Sequence, residues 1–401
     1  MEVFVARRPV FNEEKDVFGY ELEFRSGFEA YYQALEAERD TVDLMAFVNY
    51  RDLVGGKKGF VDFPRNLLAI HFPILFARDS VVAGISCQAE TDEAVLSRCG
   101  ELRDLGYTLA VNDLTPDQLD NPLLKLMHLA EIDFASMSSD DRAALCQRVA
   151  EKGIKAVARG VGTVEEFDEA VAAGYTYFHG EFFSKPVVKP GRRLAANKLT
   201  YMQLIREVNS PALEYEDIAS LIERDVSMTY KLLKFMNSAW FGLRFEVRSV
   251  RHALVLLGPK EIKRWVSMVA VRNAGDDKPD ELLLRSLTRA KAAEQVGILT
   301  GREEEAPELF LMGMFSVIDA LTDTPMEKAL TDLPLKEQIK AALLGEDGTG
   351  YRAIYDAIVG YEKGDWDLFS RSAAEIGVDE QKIPELFRDA LKWAGQALEE
   401  S

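Results

Sequence analysis

The chain has 401 residues, 47% of them hydrophobic, and a formal net charge of −19. This length exceeds what one ordinary core accommodates and predicts two or three domains. The negative charge argues against nucleic acid and anionic membranes as partners, because like charges repel. The N-terminus lacks a signal-peptide pattern and the apolar runs are too short to cross a bilayer. We therefore expect a cytoplasmic protein that does not bind membranes.

The three cysteines, Cys87, Cys99 and Cys146, show no CxxC spacing. An odd number of scattered cysteines predicts reduced thiols that fill a core, without a disulfide framework or a zinc site.

The first 186 residues alternate between strand-like and helix-like patterns. Such alternation predicts a parallel sheet, and eight strands predict a TIM-type barrel. The first two strands are joined by only five residues, too few for a crossover helix, so they should pair as an antiparallel hairpin. The predicted strands are Val3–Phe11, Val17–Phe24, Gly59–Phe63, Val81–Ser86, Tyr107–Asp113, Leu129–Phe134, Ile154–Val161 and Tyr175–Phe183.

The basic segment Lys185–Arg193 contains two prolines and a glycine, which indicates an exposed connector. It predicts domains at 1–190 and 195–401. Beyond it the patterns indicate an all-α domain without strands. The predicted helices include Lys198–Val208, Tyr215–Arg224, Ser227–Phe241, Val250–Leu257, Lys260–Arg272, Glu281–Leu299 and Glu308–Leu321.

Three segments in the first half resemble the EAL family of cyclic-di-GMP phosphodiesterases. Gly19–Arg25 (GYELEFR) is similar to the signature G-[FY]-E-A-L-x-R, and Tyr107–Leu114 (YTLAVNDL) is similar to G-x-x-x-A-x-D-D-F. Phe178–Pro186 (FHGEFFSKP) resembles the closing Q-G-x-x-[FY]-x-x-P. The segments keep the family order. The resemblance implies an α/β TIM-type barrel with an antiparallel first strand.

EAL enzymes hold two Mg²⁺ or Mn²⁺ ions through carboxylates and an amide, since hard cations prefer oxygen ligands. The resemblance puts the family's site positions at Glu21, Asp62, Gly84, Asn112, Asp113, Glu131, Arg159 and His179. Gly84 has no ligating side chain, Glu131 replaces the catalytic lysine, and Arg159 replaces a glutamate ligand. The resemblance therefore implies a catalytically inactive barrel without a metal or other cofactor. In that reading Glu21, Asp62 and Asp113 persist as hydrogen-bond partners at the barrel mouth.

Arg25 matches the arginine of the EAL signature. Its guanidinium could contact a phosphate of cyclic-di-GMP. A surface ion pair with Glu23 or Glu29 is an equally weighted alternative.

Two segments of the second half resemble the HDOD family. They are Asp225–Ala239 (DVSMTYKLLKFMNSA) and Ser249–Gly258 (SVRHALVLLG). HDOD domains are related to metal-dependent HD phosphohydrolases, but His252 is the one histidine of this half and cannot build a metal cluster. It is expected to be a partly buried helix residue. Trp240, Phe241 and Trp265 could anchor a partner, although core packing is the expected role.

The leading hypothesis is a non-enzymatic cytoplasmic signal-transduction protein. It would act through protein–protein interaction of the HDOD domain with another signalling protein, with the inactive barrel as a regulatory module. A homodimer is left open. The alternatives are a cyclic-di-GMP receptor that does not hydrolyse the nucleotide and, ranked third, an active phosphodiesterase.

Overall fold

The computed structural model describes residues 4–25, 50, 52–69, 72–87, 92–187, 205–206, 208–210, 215–223, 226–237, 247–331, 333, 335–346 and 350–400. The chain divides into two compact units. A barrel unit comprises residues 1–183 with Tyr361–Trp366, and a helical unit comprises 184–360 with 367–401. The boundaries 1–190 and 195–401 stay a prediction, because most of the connector lies outside the described residues. No helix within the described ranges has the length and apolar character needed to cross a membrane.

Eight strands close the barrel in sequence order. The strand β1 pairs antiparallel with β2 and with β8, and the remaining neighbours pair in parallel. The predicted barrel and its antiparallel first hairpin are therefore confirmed. The strands are β1 (Val5–Phe11), β2 (Val17–Phe24), β3 (Lys58–Asp62), β4 (Val81–Ser86), β5 (Thr108–Asn112), β6 (Leu129–Asp133), β7 (Lys155–Arg159) and β8 (Tyr177–His179).

Two of the predicted strands exceed the observed ones by three or more residues, and glycines explain why. The strand predicted over Tyr175–Phe183 covers only Tyr177–His179, because Gly180 has a φ of 151° and a Cβ there would lie 2.0 Å from the carbonyl oxygen of Val161. The chain then makes a 3₁₀ turn. The strand predicted to reach Val161 ends at Arg159, because Gly160 has a φ of 82°. Positive φ at both glycines interrupts the extended backbone.

Four helices in the described part of the barrel unit follow its strands. They are α1 (Arg65–Ala69), α2 (Glu93–Asp104), α3 (Ser139–Glu151) and α4 (Val164–Ala172). Polar residues cap them, as at α4, where Thr163 and Glu166 form a capping box. The three cysteines are buried and unpaired, and burial raises the pKa of Cys99 and Cys146 to about 11.

One apolar layer fills the barrel interior. Phe60, Val82, Ala110 and Leu129 belong to it, together with Val10, Val157 and Tyr177, and Phe18 packs against it. The Phe18 and Tyr177 rings stack with centroids 4.1 Å apart. Because side chains alternate along a strand, the residue two positions beyond each member also points inward. This layer therefore forms the floor of a mouth lined by the ends of the strands.

The described elements of the helical unit are all helices or 3₁₀ turns. The helices are α5 (Tyr215–Glu223), α6 (Val226–Met236), α7 (Val250–Ala274), α8 (Asp280–Leu299), α9 (Ala306–Phe315), α10 (Ile318–Thr322), α11 (Met326–Thr331), α12 (Glu337–Leu344), α13 (Gly350–Lys363), α14 (Trp366–Glu375) and α15 (Ile383–Glu400). The one helix predicted over Glu308–Leu321 is wrong. Two helices occupy it, because the backbone leaves the helical region at Val317, with a ψ of 18°.

Two motif residues of the helical unit have clear structural roles. The Asn237 side-chain amide donates to the C=O of Val247 and accepts from its N–H, each at 2.8 Å. Gly258 has a φ of 76° and kinks α7, which separates the two helices predicted on either side of it. Residues 238–246, with Trp240 and Phe241, lie outside the described residues.

The two other residues singled out in this half differ in burial. Trp265 is 4% exposed and belongs to a core cluster with Ile218, Leu232 and Val266. His252 is exposed, and not partly buried as predicted, because Ala253 and Leu254 form the buried face of that helical turn.

Candidate functional site at the barrel mouth

The inward-facing layer above the apolar floor is polar and charged. Each residue lies two positions beyond a floor residue: Asp62 follows Phe60, Gly84 follows Val82, Asn112 follows Ala110, Glu131 follows Leu129, Arg159 follows Val157, and His179 follows Tyr177. Glu21 of β2 joins them. The fold therefore brings the predicted site positions together at the carboxyl ends of the strands, where barrel chemistry is located.

Arg159 is the centre of this layer. Its Nη2 lies 2.6 Å from Glu21 Oε1, its Nη1 lies 3.4 Å from Asp113 Oδ1, and its Nε lies 3.9 Å from Glu131 Oε2. The second oxygen of Glu21 lies 3.0 Å from Nε2 of His179. One guanidinium thus contacts carboxylates from three other strand ends.

A second pair closes the opposite part of the layer. The Asn112 amide donates to Asp62 Oδ1 at 2.5 Å. This hydrogen bond runs across the inner side of Gly84, where a Cβ would lie 2.2 Å from Asp62 Oδ1 and 2.8 Å from Asn112 Nδ2. The Asp62–Asn112 pair and a side chain at position 84 therefore compete for the same space.

Glu21 is the most strongly ionised carboxyl of the site. Burial raises its pKa, but the His179 contact and the charges of Arg159 and Arg8 outweigh burial and lower its pKa to about 2. The groups that favour the anion outweigh the effect of burial because they lie close to Glu21 and little solvent screens them. Glu21 is therefore a fixed negative charge at neutral pH.

Two other carboxyls of the site, Glu131 and Asp62, behave oppositely. Burial and the charges of Glu21 and Asp62 raise the pKa of Glu131 well above its usual range, with Arg159 opposing. Burial and Glu21 also raise the pKa of Asp62, while the Asn112 hydrogen bond lowers it. Glu131 is 8% exposed and accepts only the longest of the Arg159 contacts. The site therefore holds more buried carboxyls than one arginine neutralises.

Three buried polar atoms in the layer lack a hydrogen-bond partner among the described residues. They are Asn112 Oδ1, His179 Nδ1 and Glu21 Oε2, the last of which has the contact with His179 Nε2 given above. Asp113 differs, since its side chain is 54% exposed and its backbone has a left-handed φ of 52°. In the described part of the chain, no group of three or more His, Cys, Asp or Glu side chains is arranged to hold a metal ion.

Arg25 lies just beyond the end of β2. Its guanidinium carbon is 5.1 Å from the centroid of the Phe4 ring, a cation–π contact. Of the two ion-pair partners considered for it, Glu23 pairs with Arg8, and Glu29 lies outside the described residues.

Known proteins resemble both halves of the chain. A family model for the HDOD domain matches residues 194–326. The uncharacterised protein YuxH of Bacillus subtilis is 32% identical over 98% of both chains. The cyclic di-GMP phosphodiesterase CdgJ of Vibrio cholerae is 30% identical over 98% of this chain and 92% of its own. An EAL domain protein from Listeria monocytogenes is 15% identical over 45% of this chain and 87% of its own, with a TM-score of 0.36.

The chain belongs to the EAL–HDOD family. The relatives span both halves, so the family membership covers the barrel and the helical domain together. The polar layer at the barrel mouth is therefore the place at which this EAL-type barrel can be compared with the family's metal site.

One residue of the EAL-type mouth was missed from the sequence. Arg8 of β1 pairs in register with Glu21 and forms an ion pair with Glu23. Its positive charge helps to lower the pKa of Glu21. The sequence contains a signal for this position. Because β1 runs antiparallel to its neighbours, its mouth residue lies two positions before the floor residue Val10, on the same inward face, and this residue is Arg8.

Proposed function

We propose that this chain is a non-catalytic protein of cyclic-di-GMP signalling, in which the HDOD domain acts through protein–protein contacts and the EAL-type barrel is a regulatory module. The position of Arg159 carries the proposal. Its guanidinium lies against Glu21 and Asp113, two of the carboxylates that a dimetal site would need, and near Glu131. A divalent cation there would have to displace a fixed positive charge.

Gly84 supports the same conclusion. A ligating side chain at this position would collide with the Asp62–Asn112 pair. The Asp62–Asn112 pair therefore occupies the space that a ligating side chain at position 84 would need. One substitution at Gly84 would not rebuild the metal site. The residues present do not fit two divalent cations, so we assign no hydrolytic step to this barrel.

The competing function is hydrolysis of cyclic-di-GMP, because the relative CdgJ is named as a phosphodiesterase. Product chromatography of the full chain with cyclic-di-GMP and Mg²⁺ or Mn²⁺ tests it, with an active EAL enzyme run in parallel. We expect no linear product. Metal-dependent turnover that Glu21→Ala abolishes would overturn the proposal.

A second candidate is a cyclic-di-GMP receptor without hydrolysis. Arg25 favours it, because a guanidinium held over Phe4 at the end of β2 can present its planar fork to a phosphate. Calorimetric titration with cyclic-di-GMP, with and without Mg²⁺, tests this candidate. A receptor should bind equally well without Mg²⁺ and lose affinity in Arg25→Ala.

For the HDOD domain, interaction is the function that its residues support best. The described residues show a buried Trp265 and an exposed His252, an arrangement suited to a packed helical scaffold. The partner would be another signalling protein. Crosslinking of the full chain in cell extract, repeated with an exposed Tyr230→Glu variant, tests whether this surface contributes.

A further inference from the structure

The helical unit contains a cavity that neither the proposed function nor the family resemblance uses. Its volume is about 290 Å³, and it is bounded by α6, α7, α8 and α15. Its apolar walls include Phe235, Trp265, Met268 and Trp393, and its charged lining residues are Glu261, Arg264 and Lys291. Mostly apolar pockets with a few convergent polar groups are typical of small-molecule sites.

The walls are aromatic and held in place. The rings of Phe235 and Trp265 lie 6.3 Å apart, and Trp393 meets Phe310 edge-on at 5.9 Å. The Arg264 guanidinium packs 3.8 Å from the Phe310 centroid and 5.2 Å from that of Trp393. Flat surfaces on several sides suit a planar ring, which stacks or meets them edge-on.

The charges of the less exposed side chains beside these walls do not balance. Arg264 donates two hydrogen bonds to Glu294, at 2.8 and 3.2 Å, and Lys291 Nζ lies 2.7 Å from the same carboxylate. Two cations thus share one anion, and each of the three side chains is at most 24% exposed. Glu261 lies 4.0 Å from Arg264, but it is 56% exposed and its charge is screened by solvent.

Lys291 has hydrogen-bond donors that its contact with Glu294 does not use. An ammonium group has three donors, and its contact with Glu294 uses one. Its Nζ also lies 5.6 Å from the Trp393 ring, so the remaining donors stand beside an aromatic wall. An anionic group attached to a planar ring would meet the surplus charge and the flat walls together.

We propose that this cavity binds a small aromatic anion, a planar ring that carries a carboxylate or phosphate. The ring packs between Trp265, Met268 and Trp393, and the anionic group pairs with Lys291. The inference is independent of the proposed function, because it concerns neither the barrel nor cyclic-di-GMP.

Three probes that share the naphthalene ring system and differ in charge test the proposal on the full chain: 2-naphthoate, 2-naphthylmethanol and 2-naphthylmethylamine. Isothermal titration calorimetry should show 2-naphthoate binding at one equivalent. We expect it to bind about tenfold or more tightly than the other two, since a hydrogen bond to a charged group contributes about 1.5–3 kcal/mol. Equal or tighter binding of the amine, or no binding of any probe, would overturn the proposal.

Variants locate the site. Lys291→Met should remove the preference for 2-naphthoate and Lys291→Arg should keep it, while Lys392→Met, at an exposed position of α15 next to Trp393, should change nothing. Met268→Trp should fill the cavity and abolish binding of all three probes, and it decides the test if Lys291→Met unfolds. Unchanged 2-naphthoate affinity in folded Lys291→Met or in folded Met268→Trp contradicts the assignment.

Discussion

Two ionic networks, one in each unit, are built around an arginine and have opposite balances. At the barrel mouth Arg159 contacts three carboxylates. In the helical unit the Glu294 carboxylate contacts two cations. Among the side chains that are less than half exposed, the first network has surplus acid and the second has surplus base. The chemistry of each surplus decides how it is relieved.

A carboxyl can take up a proton, and an arginine cannot release one under ordinary conditions. The raised pKa of Glu131 shows the first route, since a buried acid beside Glu21 and Asp62 favours the neutral form. An arginine, as in the helical network, has no such route. An external anion would therefore balance the charge of the helical network, whereas the barrel network can reduce its negative charge by taking up a proton.

The largest expected effect is the loss of Arg159. Arg159→Met removes the arginine from its ion pair with the largely buried Glu21, and breaking such a pair costs about 3–5 kcal/mol. The three buried cysteines all lie in the barrel unit, so thiol labelling against urea concentration reports barrel unfolding alone. Arg148→Met, at an exposed site on α3, is the matched control and should cost under about 0.5 kcal/mol. Equal urea midpoints for the two variants would show that Arg159 does not hold the mouth together.

The sequence could predict where these networks lie better than how they balance. The period of two along each strand, with the resemblance of Gly19–Arg25 and Phe178–Pro186, placed Glu21 and His179 at one end of a barrel. It could not predict that Asn112 and Asp62 close over Gly84, because that contact joins three strands far apart in the chain.

The cavity of the helical unit was not predictable for the same reason. Its lining is spread from Phe235 to Trp393, on helices whose packing the apolar pattern does not specify. Trp265 was correctly expected in the core. The pairing of Arg264 and Lys291 with one carboxylate depends on which faces of α7 and α8 meet.

Acid tests the barrel network next. The pKa of Glu21 falls from 4.5 to about 2 on folding. Ionised Glu21 therefore stabilises the fold above pH 4.5, and this contribution, about 3 kcal/mol at most, disappears as the pH falls towards 2. Urea midpoints from amide hydrogen exchange of the barrel peptides, taken between pH 6 and pH 2.5, should fall. Glu21→Gln should flatten that decline, and an unchanged slope would show that another group controls it.

A steric change at Gly84 comes next in size. Gly84→Ala introduces a Cβ against Asp62 and Asn112, and overpacking of this kind costs about 1–3 kcal/mol. Gly84→Glu should cost more, because it also adds negative charge to a mouth that already has a surplus. The double variant Gly84→Ala with Asp62→Ala should recover most of the steric loss, as thiol labelling would measure. Additive effects would mean that the two positions do not compete for space.

The smallest effect should come from Glu131, and its sign distinguishes the two networks most sharply. Its folded pKa is raised, so the group costs stability above the unfolded pKa of about 4.5, where the unfolded chain is ionised, and costs nothing below it. Glu131→Gln keeps the size and removes the ionisation. We therefore expect this variant to be more stable than the natural chain at pH 7.5 and equal to it at pH 4. The corresponding change in the helical unit, Glu294→Gln, should destabilise at pH 7.5, because it leaves Arg264 and Lys291 without their shared anion. Thiol labelling for the barrel and amide hydrogen exchange of peptides from the helical unit measure the two separately. If Glu131→Gln also destabilises at pH 7.5, ionised Glu131 is needed by Arg159, and the barrel mouth has no surplus of acid.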